Sequence, residues 1–166
     1  MSNGIENLIG VVAAEILVDA LETSQRLTEL GIPHALIGGL AVGFHGHPRA
    51  TKDVDFLVGN EAFTSLQPIL VYREELKELV RIGVVDLVGI PLDYPGIGEH
   101  LSIPKEGVIP VLPVEALILM KLSAGRPQDT ADVSSLLEAG ADIDTVIKYL
   151  RKNAPELLDK FAEIIQ

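Results

Sequence analysis

The chain has 166 residues, 48% of them hydrophobic, which supplies a core and excludes disorder by composition. Thirteen Lys and Arg stand against 24 Asp and Glu, a net charge of −11 that repels phosphate backbones and excludes non-specific coating of DNA or RNA. There is no cysteine, so disulfides, thiolate zinc sites and cysteine nucleophiles are all excluded; there is no Trp, and aromatics make up only 4%.

The first basic residue is Arg26, which leaves no positive region for a signal peptide. The apolar stretch from Leu8 to Leu21 is broken by Glu15 and Asp19, too short and too charged to cross a bilayer. These features predict a soluble cytoplasmic protein with no membrane partner.

Residues 5–30 read as one amphipathic helix. Glu15, Asp19, Glu22, Arg26 and Glu29 recur every three or four residues and draw one solvated stripe. Gly31 is a cap and Pro33 a stop. Residues 34–37 form a short apolar strand ending in Gly38-Gly39, and 40–45 a short helix. Residues 53–58 form a second strand, closed by Gly59-Asn60. Asn60 caps a predicted helix over 61–66, ended by Pro68. Residues 83–90 are a valine-rich strand. Pro and Gly make 91–107 a long loop, and a strand is predicted over 108–111. From Pro113 the pattern is helical: 114–124 is apolar nearly all round and reads as buried, followed by 131–138, 142–151 and 155–165. The expectation is one α/β domain over 1–166, with a sheet core at 34–112 and a helical part at 113–166 packed on it.

Three features carry chemistry. Gly38-Gly39 leaves a strand and enters a helix, where backbone without side chains admits a ligand and N–H groups bind phosphate; a Gly-Gly turn is also common as plain structure. Asp53-Val54-Asp55 places two carboxylates on one strand face, roughly 6.6–6.8 Å apart. Such a pair is costly without a cation, and hard oxygen donors suit Mg²⁺ or Mn²⁺; an exposed strand edge would hold the pair equally well. Asp86, inside an aliphatic strand, makes sense as a third carboxylate at the same metal site or as a buried partner of Arg81. Asp93 is a poorly fixed substitute for it. His45-Gly46-His47 lacks a third ligand nearby and reads as a loop beside the site, and Glu115 as a first-turn dipole partner.

A Gly-Gly turn, thirteen residues (40–52), Asp-x-Asp on a strand and one Asp on a later strand resemble the DNA polymerase β-like minimal nucleotidyltransferase superfamily, over about residues 34–90. Arg49-Ala50-Thr51-Lys52-Asp53-Val54-Asp55 is similar to the Arg-x-Thr-x-Asp-x-Asp of its small members, including the antibiotic and abortive-infection types. Leu119-Met120-Lys121 and Arg126-Pro127-Gln128-Asp129-Thr130-Ala131-Asp132 look like the C-terminal helices of the abortive-infection group. The chain ends soon after this block, without the larger C-terminal domain of that type, so the acceptor is not carried over.

The resemblance implies a nucleotidyltransferase-like mixed sheet of about four or five strands with flanking helices. It implies transfer of a nucleoside monophosphate from a nucleoside triphosphate to an unidentified acceptor (a protein, an RNA end or a small molecule), with release of pyrophosphate. Asp53, Asp55 and Asp86 would be the catalytic and metal-binding residues, with Mg²⁺ or Mn²⁺ as cofactor. Gly38, Gly39, Arg49, Thr51, Lys121, Asp129 and Asp132 would bind the nucleotide; the two last also read as caps of a helix start. The alternative is an antitoxin or nucleotide-binding module of the same fold, acting through a helical toxin-type protein partner.

Overall fold

The computed structural model describes residues 8–66, 68–81 and 84–166, and the side chains of all of these but Arg81. It is a mixed α/β protein. Helix α1 runs from Ala14 to Glu29, shorter than the sequence predicts. Residues 8–13 form turns, with Gly10 at φ +86°, a conformation that does not propagate a helix. Residues 5–7 of the predicted helix lie outside the described residues. The C-terminal end of α1 follows its capping signal closely. Gly31 at φ +71° lets its own N–H reach Thr28 O (3.0 Å) and the Ile32 N–H reach Leu27 O (2.9 Å), so the last carbonyls are satisfied before Pro33.

The central sheet has three strands in the order β1 (His34–Ile37), β2 (Val54–Val58), β5 (Val85–Gly89). The β1–β2 pair is antiparallel and the β2–β5 pair parallel. The four-to-five-stranded sheet expected from the sequence is therefore smaller. Residues 108–111 do not form a strand; they contribute one parallel bridge, Leu36 with Val111, in which the Leu36 N–H donates to Pro110 O at 2.7 Å. Pro110 has no N–H to extend a ladder. Ser102 forms a second bridge, to His34, so the chain after residue 101 runs along the outer edge of β1.

Two more strands, β3 (Phe63–Ser65) and β4 (Val71–Tyr72), form a separate antiparallel pair. They replace the helix predicted over 61–66. Only a 3₁₀ turn at Asn60–Ala62 survives of it, because Phe63 leaves the helical path to stack on Tyr72 at 5.2 Å between ring centroids. The segment read as a loop contains a six-residue 3₁₀ helix, Pro95–His100. It continues through an exposed turn where the Val108 N–H donates to Lys105 O (3.1 Å) and Gly107 sits at φ +79°.

Two short helices flank the sheet, α2 (Gly38–Phe44) and α3 (Lys77–Arg81). Four helices close the described chain: α4 (Val114–Ala124), α5 (Pro127–Glu138), α6 (Ile143–Asn153) and α7 (Leu158–Ile165). Helix α4 is buried along most of its length, at Ala116–Leu119, Lys121 and Leu122, and packs against α5 and α6. It ends at Gly125, whose left-handed φ of +66° turns the chain sharply. Buried apolar residues of the sheet, including Phe56 and Leu57, and of the helices, including Leu117, Leu136 and Phe161, belong to one continuous core. No helix among the described residues is long and apolar enough to cross a membrane.

Sheet parity sorts the polar residues. Asp55 pairs with Ile37 on one side and with Asp86 on the other, so these three share a face. His34 has the opposite parity and lies fully buried on the other face. There its Nδ1 bonds Ile32 O (2.8 Å) and its Nε2 bonds the Ser24 hydroxyl of α1 (2.7 Å). Burial holds the imidazole below its ordinary pKa despite the Ile32 bond, so it is a neutral structural histidine. His45 is likewise engaged, its Nε2 bonding Leu112 O at 2.7 Å.

Candidate active site

The face that carries Asp55 and Asp86 is the floor of a cleft of about 490 Å³. Asp53, Gly38 and Gly39 lie on the same side, Arg49 and Thr51 come from the extended segment that enters β2, and Lys121, Arg126 and Asp129 come from α4 and α5. The strand positions and the C-terminal helices singled out in the sequence therefore meet in one place. Asp93 is exposed in its loop and lies outside this lining. A second cavity, about 450 Å³, lies between α1 and residues 104–109, with Leu21, Val108 and Ile109 among its walls. Its charged lining residues are Glu29, Lys105 and Glu106.

Asp55 is half-buried, while Asp53 and Asp86 are exposed. The Asp55 carboxyl is pushed up to about 6, first by burial, then by the like charges of Asp86 and Asp53; Lys121 and Arg126 pull the other way. Four charges thus act on Asp55 in this cleft. Among the described residues no three His, Cys, Asp or Glu side chains are grouped so as to hold a metal ion by themselves. The donor set suits a hard divalent cation all the same. Mg²⁺ is commonly bound through one or two carboxylates, with water and substrate phosphate completing the shell, and an all-protein cage is not required.

Gly38 has a use that differs from the one read in the sequence. Its φ is +72°, and a Cβ there would run into the Asp55 carboxylate. The missing side chain makes room for a protein carboxylate, and it does so at the end of β1, where the chain must turn. Helix α2 spans only seven residues, so little of a macrodipole stands behind this turn. A Cβ on Gly39 would lie 3.1 Å from Thr51 Oγ1 and 3.2 Å from Arg49 Nη2. Gly39, Thr51 and Arg49 thus form a small cradle. Its Arg49 Nε is buried with no hydrogen-bond partner among the described residues, an unusual state for a buried donor.

Behind the cradle runs an ion-pair network. Lys121, almost wholly buried, places its Nζ 2.9 Å from Asp132 Oδ2 and 3.3 Å from Asp129 Oδ1. Arg49 Nη2 donates to Asp132 at 3.2 Å, and Gln128 Nε2 donates to its other oxygen at 3.0 Å. Arg126 grips Asp129 through Nε (2.7 Å) and Nη2 (3.3 Å), and its backbone N–H donates to the same carboxylate at 3.2 Å. Burial pushes both carboxyls up, but these hydrogen bonds and the Lys121 charge outweigh it and hold both below the ordinary range. The helix-cap reading of Asp129 is therefore right as far as it goes: it sits at the third position of α5 and bonds back to Arg126 N. Its larger share of contacts is with cations. Asp132, one turn on, caps nothing and serves the network alone.

Arg126 and Gln128 line the cleft although the sequence reading did not single them out. The signal available was local: Arg126 lies between a helix-ending glycine and a helix-starting proline, a place where the backbone is fixed on both sides. The proposed alternative partner of Asp86, Arg81, has a side chain outside the described residues.

No protein-family model matches the chain, and no curated protein matches it significantly.

Proposed function

We propose that the cleft is a nucleotidyltransferase active site of the DNA polymerase β-like kind, moving a nucleoside monophosphate from a nucleoside triphosphate to an acceptor hydroxyl. The observation that carries this reading is the cross-strand register of Asp55 with Asp86, on the face that looks toward Arg49, Lys121 and Arg126. Converging carboxylates opposite converging cations are what a metal-bound polyphosphate requires. The Arg49 guanidinium beside Gly39 and Thr51 at the cleft lining supports the same reading, as a cation within reach of a phosphate.

Asp53, Asp55 and Asp86 are the residues that would hold Mg²⁺ or Mn²⁺, which when bound supplies charge neutralisation for the triphosphate and a lowered pKa for the acceptor hydroxyl. Arg49, Thr51 and the Gly38-Gly39 turn bind and orient phosphate. Asp86, exposed on β5, stands where an acceptor can approach and takes its proton. The acceptor oxygen forms its bond to the α-phosphorus, the α–β bridging P–O bond breaks, and pyrophosphate leaves.

The test is to measure binding and pyrophosphate release on the same preparation, with each labelled triphosphate, Mg²⁺ or Mn²⁺, and a cell lysate as source of acceptor. Asp86→Asn is expected to keep nucleotide binding within about tenfold while cutting transfer by about 10²-fold or more. Equal loss of both would remove the division of labour assigned to Asp86. Binding with no pyrophosphate release from any acceptor would overturn the enzyme reading in favour of an antitoxin or nucleotide-binding module. The exposed Val18 and Leu21 on acidic α1 are where a helical, basic partner would dock in that case.

A further inference from the structure

We infer that Arg126 is the cation that grips the polyphosphate tail in this cleft, and that Asp129 is its positioning residue, while Lys121 is a structural counter-ion. The inference rests on the nucleotidyltransferase reading and deepens it. Among the described residues three cations border the cleft, and they differ in what they have left to offer. Lys121 is 10% exposed at its side chain and has two carboxylates within 3.3 Å. Two buried carboxylates require it where it is. Arg49 is tied to Asp132 through Nη2.

Arg126 combines two properties that seldom occur together. Its side chain is 75% exposed, yet its guanidinium is held by two hydrogen bonds to a carboxylate that is itself only 2% exposed. An exposed arginine ordinarily samples many rotamers, and fixing it on binding costs entropy. Here that cost has been met in the free protein. The backbone is fixed too, between Gly125 at φ +66° and Pro127 at the first position of α5. Nε and one edge of the fork face Asp129; among the described residues Nη1 makes no hydrogen bond, so that edge remains to donate. Arg126 lines the same cleft as Asp55, Asp86 and the Gly38-Gly39 turn. A planar fork with one edge anchored on a carboxylate and the other without a hydrogen bond among the described residues, at the lining of a cleft, fits a tetrahedral oxyanion.

The experiment titrates inorganic tripolyphosphate, with Mg²⁺ present throughout, into the protein and its Arg126→Ala and Arg126→Lys variants by calorimetry, with melting curves for each. An exposed side chain is removed, so all three are expected to stay folded. Arg126→Ala is expected to weaken binding about tenfold or more, and Arg126→Lys, which keeps the charge but loses the anchored fork, to recover less than half of that loss on a logarithmic scale. Full recovery by lysine would overturn the positioning role of Asp129. Unchanged binding in Arg126→Ala, with the wild type binding well, would overturn the inference while leaving the nucleotidyltransferase reading intact. A wild type that binds neither tripolyphosphate nor any nucleoside triphosphate would overturn both.

Discussion

Asp55 is held under electrostatic tension by burial and by the like charges beside it. Its carboxyl is raised from 3.8 to about 6 by burial and by its two acidic neighbours, so the folded chain binds a proton there more readily than the unfolded chain. The sign follows: below about pH 4 the group is neutral in both states and costs nothing, and between about 4 and 6 the folded state progressively loses stability as the charge forms. Asp55→Asn should therefore match the wild type near pH 4 and become more stable than it as pH rises, with the gap levelling off above about pH 6. Melting temperature against pH for both proteins measures this; a gap that is constant with pH would place the tension elsewhere. Gly38 belongs to the same local arrangement. Gly38→Ala should cost about 1–2 kcal/mol from the left-handed backbone alone, and more from displacing the Asp55 carboxylate, as read by urea unfolding.

At the scale of elements, α4 and α5 are held at their corner by charge as well as by apolar contact. Lys121 is the hub, and its removal strands Asp129 and Asp132 with only the arginines and Gln128 to compensate. Lys121→Met should destabilise the protein by about 3 kcal/mol or more in urea unfolding, and Asp129→Asn with Asp132→Asn added to it should recover part of that loss. A loss under about 1 kcal/mol would mean that the buried lysine is dispensable. The same elements show what could be read from the sequence. β1, β2, β5 and α4 carry strong patterns (short apolar runs bounded by Gly and Pro, or an eleven-residue apolar stretch), and their central residues fall where expected. The helix over 61–66 failed because its signal was a cap and a stop with no apolar period between them, and the stacking of Phe63 on Tyr72 is a contact between strands that no local pattern announces. The strand over 108–111 failed because Pro110 breaks the ladder after one bridge. The face of Asp55 is legible because strand parity is a local rule, whereas its register with Asp86 is a pairing between two strands that no local pattern gives. Arg126 and the Ser24–His34 pair were not legible, because their partners lie three residues away across a helix start, or on another element altogether.

For the whole molecule, a net charge of −11 and a cleft floored by carboxylates mean that anionic substrate meets an unfavourable field except where cations intervene. Mg²⁺ or Mn²⁺ together with a nucleoside triphosphate should raise the melting temperature by about 5–10 °C at roughly 100 times Kd, because the pair binds the native state alone. Triphosphate without the metal should do much less, and Asp55→Asn should lose most of the combined shift. A shift that survives in Asp55→Asn would put the metal at other residues.

The exposed turn at Lys105–Val108 divides the site as well as the chain. Everything before it supplies the floor: Gly38, Gly39, Arg49, Thr51 and the three carboxylates. Lys121, Arg126, Gln128 and Asp129, all after it, supply the far wall. A single proteolytic cut between Glu106 and Gly107 removes no sheet bridge and no ion pair, since Ser102 and Val111 dock on β1 from either side of it. The nicked protein should behave as a two-piece complex that elutes as one species in dilute buffer and comes apart only as the shared core is dissolved by denaturant. Each piece then holds part of the cleft lining, and the return of the native melting temperature on mixing would report the closing of the Arg49–Asp132 contact.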